Sequence, residues 1–299
     1  MPGRSRLWTV GAPALFVVLW STGFITSKEA VKYAEPMTLL VIRYAAAAVL
    51  CLAIALLLRA RWPARRTLGH MVVVGLLLHG CYIGGVFAAI DHGLPASVAA
   101  LVVGLQPILT AVVVGPLLGE RFRPAQWLGL ALGLAGVALV LLRNLETEGW
   151  AVGAILLAVL ALVGITAGTL YQKRFCANED VRSASVIQYA ATCLALLPLA
   201  FAFDSGEIDW APALVASLAW MVVVLSVGAV SLLYLLIRYG EAGRTASLFY
   251  LVPPVTAVLA WLWFGESLGW VGVVGIAVTA VGVSLVQRGG QSAAAVPPE

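Results

Sequence analysis

The chain has 299 residues, 62 % hydrophobic and 11 % charged, with a mean hydropathy of +1.01 and a formal net charge of +4. Soluble domains carry roughly 25 % charged residues, so a water-soluble globular fold is excluded. The apolar residues come in stretches of about twenty, the length a helix needs to cross a bilayer.

Ten such segments follow one another, at about 10–28, 37–58, 70–90, 96–118, 124–142, 150–172, 183–203, 212–237, 245–264 and 270–287. The pattern is that of an all-α membrane protein with ten transmembrane helices. The first segment follows Arg4 and Arg6 as a secretory leader would. Trp20, Ser21 and Thr22 interrupt its core, however, and no small-residue cleavage site follows before "SKEAVKYAEP". It is therefore the first span. Breakers separate the later ones: Glu35-Pro36, Trp62-Pro63, Gly93-Leu94-Pro95, Arg123-Pro124 and Asp204-Ser205-Gly206.

Placing the N-terminus in the cytoplasm puts fourteen basic residues on that side: Arg4, Arg6, Arg59, Arg61, Arg65, Arg66, Arg121, Arg123, Lys173, Arg174, Arg182, Arg238, Arg244 and Arg288. Lys28, Lys32 and Arg143 fall outside, and Arg43 lies within a span. The positive-inside rule then sets both termini in the cytoplasm. The net positive charge is topology and implies no nucleic acid. Cys51, Cys81 and Cys193 lie within apolar runs and Cys176 in a basic loop, with no metal or redox spacing.

The chain repeats itself. Residues 101–120, "LVVGLQPILTAVVVGPLLGE", and 247–266, "SLFYLVPPVTAVLAWLWFGE", agree at seven of twenty positions, at a constant offset of 146. Pro107/Pro253, Thr110/Thr256 and Glu120/Glu266 are among them, and Gly129/Gly275 and Gly136/Gly282 continue the register. Each half holds five spans, an odd number, so the second enters the membrane from the opposite side. The organisation is an inverted repeat, 10–142 and 150–287, joined by a linker at 143–149 and followed by a tail at 288–299. Paired interrupted spans in such repeats point to a transport site. A mid-span proline removes a donor and clashes with the carbonyl four residues earlier. Pro107 and Pro253 are therefore expected to be hinges beside a cavity, with inherited kinks as the alternative.

"WSTGFITSK" closing span one, "EPMTLLVIRY" opening span two and the duplicated "P…TAV…GE" resemble EamA-type drug/metabolite transporters. The resemblance covers about 10–287 as two tandem units. It implies a ten-helix bundle in the cytoplasmic membrane, a central cavity between the halves, and export of small metabolites, often amino acids. The halves have diverged: Arg43 is matched by Tyr189, and "WSTGF" by "TAGTL".

Polar groups within a membrane are costly and are functional candidates. His79 lies roughly 13 Å into span three, near the midplane. It could bind substrate or carry a coupling proton, or be satisfied by a neighbouring helix. Tyr82 shares its helical face. Gln106 precedes the first hinge and could replace the partner lost to Pro107 or face the cavity. Trp20 and Phe24, four apart on span one, are candidate cavity walls. So are Tyr171, which follows Gly164 and Gly168 on span six, Tyr234 on span eight and Tyr250 beside Pro253. Arg43 is expected to snorkel outward and pair with Glu35, or else to attract an anion. Glu120 and Glu266 favour the N-termini of the helices that follow. Gly129-xxx-Gly133 and Gly275-xxx-Thr279 allow close helix contact, joining spans five and ten within one chain or in a homodimer.

No Walker A sequence, metal cluster or nucleophile–base pair is present, so neither a catalytic site nor a cofactor is expected. The absence of a carboxylate at the centre of span one argues against exchange of protons for cationic drugs. The expected function is export of small, partly apolar metabolites, amino acids foremost, by a secondary transporter of the inner membrane. A broad drug exporter and a non-transporting scaffold or sensor are the alternatives.

Overall fold

A computed structural model of the chain describes residues 11–110, 113, 123–148, 152–239, 248–265 and 269–291. Among these, ten helices form and no strand does, apart from a single antiparallel bridge between Ala34 and Ile208. They are α1 (Ala12–Ala30), α2 (Pro36–Leu57), α3 (Arg65–Asp91), α4 (Ala96–Thr110), α5 (Pro124–Glu148), α6 (Val152–Cys176), α7 (Val181–Phe203), α8 (Pro212–Arg238), α9 (Leu248–Phe264) and α10 (Trp270–Gln291). Glu120, Glu266, Arg4, Arg6, Arg121, Arg244 and the end of the tail lie outside the described residues.

Local chemistry sets the helix boundaries. Pro36 and Pro212 open α2 and α8 at the first turn, where a missing N–H costs nothing. The turns before α4 and after α7 use Gly93 (φ +88°) and Gly206 (φ +77°), conformations that a β-carbon resists. α2, α3, α6, α7 and α8 are each long and apolar enough to cross a membrane.

The 146-residue offset recurs as contact. A β-carbon on Gly136 would lie 2.5 Å from the Gly275 carbonyl, and one on Gly282 would lie 2.4 Å from the Gly129 carbonyl. These contacts are reciprocal under the offset, so the glycine faces of α5 and α10 join the two halves within one chain. α2 and α7 pair in the same way and are clasped at both ends. At one end Thr38 donates its N–H and hydroxyl to Asp204, while Ser205 donates both of its own to Glu35. At the other end Arg61 N–H donates to Asp180, and the Ser183 hydroxyl to the Arg61 carbonyl. The chain thus folds as two inverted five-helix repeats.

α3 and α8, which correspond under the offset, each contain a π-helical stretch, Leu76–Gly84 and Met221–Ala229. The wider turn offers carbonyls to side chains. Tyr44 Oη donates to the His79 carbonyl at 3.0 Å, and Tyr189 Oη to the Ser226 carbonyl at 2.6 Å. The two tyrosines stack between them, ring centroids 5.6 Å apart and 10° from parallel.

The repeated prolines differ from expectation in one respect. Pro253 stands in the first turn of the α-helical stretch Val252–Phe264, after a 3₁₀ turn over Leu248–Leu251. Pro107 likewise follows a turn at Gly104–Leu105 that interrupts α4. Each proline therefore starts a new helical segment, where its fixed φ fits and no donor is lost, and the break lies upstream of it. The two breaks touch: a β-carbon on Gly104 would sit 2.8 Å from Pro253 Cγ. The helix across from each break supplies a hydroxyl. Thr169 of α6 accepts from Gln106 Nε2 at 2.9 Å, and Ser21 of α1 donates to the Val252 carbonyl at 3.3 Å. Gln106 and Val252 correspond under the offset.

Candidate functional site

A half-open pocket, with about 400 Å³ of empty space that includes solvent at its mouth, lies between α1, α2, α3 and α8. Its walls are Trp20, Gly23, Phe24 and Ser27 of α1, Arg43 of α2, Tyr82, Ile83, Val86 and Phe87 of α3, and Leu225 and Val230 of α8. It sits toward the bundle end that carries the α1–α2, α3–α4 and α7–α8 connections.

Trp20 and Tyr82 form one wall as a unit. Their rings are parallel to within 2° with centroids 6.2 Å apart, and Trp20 Nε1 donates to Tyr82 Oη at 2.9 Å. One turn toward the α1 N-terminus, Phe16 packs on Trp20 at 5.0 Å. Phe249 meets both rings edge-on, at 5.3 Å from Phe16 and 5.5 Å from Trp20. Phe249, in the 3₁₀ turn that opens α9, thus packs directly on the cavity-wall residue Trp20. The spacing of Trp20 and Phe24 signalled a common face, and both reach the cavity.

Arg43 departs from expectation. Its side chain is buried, 4 % exposed, and turned into the bundle. Nε donates to Ser226 Oγ at 3.3 Å, and the guanidinium lies 5.5 Å from the Tyr44 ring. Among the described residues no carboxylate pairs with it. The expected partner, Glu35, accepts from Ser205 instead, with its hydroxyl bond at 2.7 Å. The reason is helical phase: Leu39, Arg43, Ala47, Cys51 and Ala55 form the buried stripe of α2. That spacing was readable in the sequence and outweighs a depth of two turns. An arginine buried without an anion is costly and calls for a negatively charged partner.

His79 joins a different polar cluster. It is 2 % exposed and does not line the cavity. Its ring packs on Tyr189 and Tyr44, with centroids at 4.7 and 5.6 Å, and its Nε2 lies 3.4 Å from Tyr234 Oη. Tyr234 donates in turn to Gln188 Oε1, and Gln188 Nε2 to Gln172 Oε1 at 3.3 Å. His79 Nδ1 is buried with no hydrogen-bond partner.

The remaining candidates lie elsewhere. Gln106 serves the α4 break through Thr169, and its Oε1 has no partner. Tyr250 packs against Gly133 of α5, its hydroxyl buried without a partner. Tyr171 bonds His70 Nδ1 at 2.8 Å and packs on Phe175 at 4.5 Å, near the α6 C-terminus. Gly164 and Gly168, which suggested a cavity wall there, are filled by α3. β-Carbons at these sites would meet Tyr82 N at 2.8 Å and Leu78 Cδ2 at 2.6 Å. Among the described residues no group of His, Cys, Asp or Glu could hold a metal.

An apolar cavity between inverted repeats, holding one buried cation, is the anatomy of a membrane carrier. The EamA-like transporter family matches the chain twice, at residues 7–142 and 152–288. The protein belongs to that family and spans the membrane. The "Uncharacterized inner membrane transporter YedA" of Escherichia coli K12 is 27 % identical over 96 % of this chain and 92 % of its own length. A "Probable terminal-alkyne amino-acid exporter" of Streptantibioticus cattleyicolor is 31 % identical over 65 % of each chain. A crystal structure of another protein, 19 % identical, shares the fold with a TM-score of 0.73 over 95 % of this chain and 99 % of that one.

Proposed function

We propose that the protein is a secondary transporter of the cytoplasmic membrane that exports small, partly apolar metabolites, namely amino acids or related compounds. Both termini are cytoplasmic. Residues 10–142 and 150–287 act as two units; α5 runs on to Glu148 through most of the expected linker at 143–149, and α10 to Gln291 into the expected tail at 288–299. The observation that carries this reading is Arg43, buried without a carboxylate in a cavity walled by Trp20, Phe24 and Tyr82. Guanidinium binds a substrate carboxylate through paired hydrogen bonds, and the aromatic walls take the side chain. The name of the Streptantibioticus relative, a probable amino-acid exporter, agrees with that class. Export of cationic drugs is disfavoured by the same arginine, and a scaffold has no need of it.

Alternating access would turn on the α4 and α9 breaks where Gly104 meets Pro253. With the N-terminus inside, the cavity lies toward the outer face, and the tight α3–α6 contact is the closed counterpart. His79, Tyr234, Gln106, Tyr171 and Tyr250 would act outside the cavity, through packing and through the breaks.

Cells loaded with labelled aromatic and branched amino acids, together with their N-acetyl and 2-oxo relatives, test this. Expression of the wild type is expected to lower retained label, and Arg43→Gln to abolish the effect. Equal retention of every compound with and without the wild-type protein would refute transport of this class.

A further inference from the structure

The charge balance of the cavity goes beyond a generic carboxylate site. Among the described residues that line it, Arg43 is the one charged group and no carboxylate is present. The polar atoms near it are largely committed. Ser27 Oγ donates to the Gly23 carbonyl at 2.7 Å, and Tyr82 Oη accepts from Trp20. Ser226 Oγ accepts from Arg43 itself. Tyr82 keeps its own proton, a second donor for an anion. The remaining surface is apolar: Phe24, Ile83, Val86, Leu225.

An amino-acid zwitterion brings an ammonium as well as a carboxylate, one carbon apart. Seating the carboxylate on Arg43 forces that ammonium close to a like charge. It also strips its water with no carboxylate to replace it. A monoanion avoids both costs. Selectivity here comes as much from what the cavity fails to offer as from what it holds.

We propose, building on the transport reading above, that the cavity selects organic monoanions with an aryl or branched alkyl body and no free ammonium. Two-oxo acids and N-acylated amino acids are that class, and the parent amino acids are poorer ligands. Arg43 sets the sign of the charge, and with no carboxylate among the described lining residues an ammonium is left beside a like charge.

The test uses the full-length protein in liposomes and four labelled probes of similar shape: phenylpyruvate, N-acetylphenylalanine, phenylalanine and phenylalaninamide. The expected result is uptake of the two monoanions with half-saturation about tenfold or more below that of phenylalanine, and none of the amide. Arg43→Lys should keep this order and Arg43→Gln should erase it. Phenylalanine transported as well as N-acetylphenylalanine by the wild type overturns the selectivity and leaves the transport reading standing. Uptake of none of the four overturns the transport reading and this inference with it. Uptake of the monoanions that chloride displaces at equal concentration also overturns the inference, since the site would then recognise charge alone. The wild-type ranking decides the matter even if a variant fails to insert.

Discussion

Helices α3 and α6 meet backbone to backbone, whereas α1 and α8, their counterparts under the 146-residue offset, leave a cavity between them. On the closed side a β-carbon on Gly85 would reach the Leu157 carbonyl at 2.8 Å, and one on Gly164 would reach Tyr82 N at 2.8 Å. On the open side the same positions are Ser231 and Val18, and Gly168 is matched by Thr22. A β-carbon on Gly23 would make only ordinary contact there, 3.5 Å from Leu225 Cδ1. Glycines let one helix pair close completely; the other pair lacks them at the equivalent positions, of which Val18 is half exposed, and leaves the cavity beside Arg43.

The severest way to break this comparison is to put a side chain into the closed pair. Gly164→Val is expected to cost about 1–3 kcal/mol by overpacking, read as a fall in thermal unfolding temperature in detergent, with transport lost. On the open side Gly23→Val, at a cavity-lining position where a β-carbon makes only ordinary contact, should cost less than this while filling the cavity and reducing transport. Equal destabilisation by the two would mean that both pairs are equally tight.

Next in size is the crossing between the two breaks. Gly104→Ala drives a β-carbon into Pro253 and is expected to cost about 1–2 kcal/mol. Pro253→Ala alone should cost less, because a first-turn proline interrupts nothing. The double variant should recover part of the Gly104→Ala loss, and strict additivity of unfolding energies would show that the contact is not strained.

The smallest expected effect is a pH dependence of the clasp on the open side. The Ser205 hydroxyl and then its amide hold the Glu35 carboxyl below its ordinary value of 4.5. A lowered value in the folded protein means that the contribution is fully present above pH 4.5 and fades as pH falls through the folded value. Wild type and Glu35→Gln should differ in unfolding temperature near neutral pH and converge on acidification. A constant difference would remove Glu35 from the clasp. The opposite clasp should survive further into acid, since Arg182 holds Asp180 at about 2.

Much of the fold was legible because its signals are local. Ten apolar runs gave the helices, and the offset pairs Gly129/Gly275 and Gly136/Gly282 became the α5–α10 contact. Trp20 and Phe24 were legible as a face. Arg43 was misjudged because its depth in the span was weighed above its place on the Leu39–Ala47–Cys51 stripe. His79 shows the opposite difficulty: its depth was evident, but its neighbours Tyr44, Tyr189 and Tyr234 arrive from three other helices, which no local pattern reveals. The π-helical stretches left no sequence signal, since apolar composition does not distinguish a turn of one extra residue.

The α5–α10 glycine contacts also constrain how the protein is made. Domains and spans emerge from the ribosome in order, N-terminal first, so α5 enters the bilayer while its partner is still unsynthesised. The carbonyl of Gly275 and the backbone at Gly282, which fill the hollows beside Gly136 and Gly129, belong to a helix translated well after α5. Until α10 follows, the first half carries an uncovered groove of bare backbone facing lipid. A chain terminated before Trp270 would keep that groove, its halves still joined by the α2–α7 clasps and the α3–α6 contact. α10 thus covers a face that the first half presents early, and a truncation that removes it should lower stability without separating the halves.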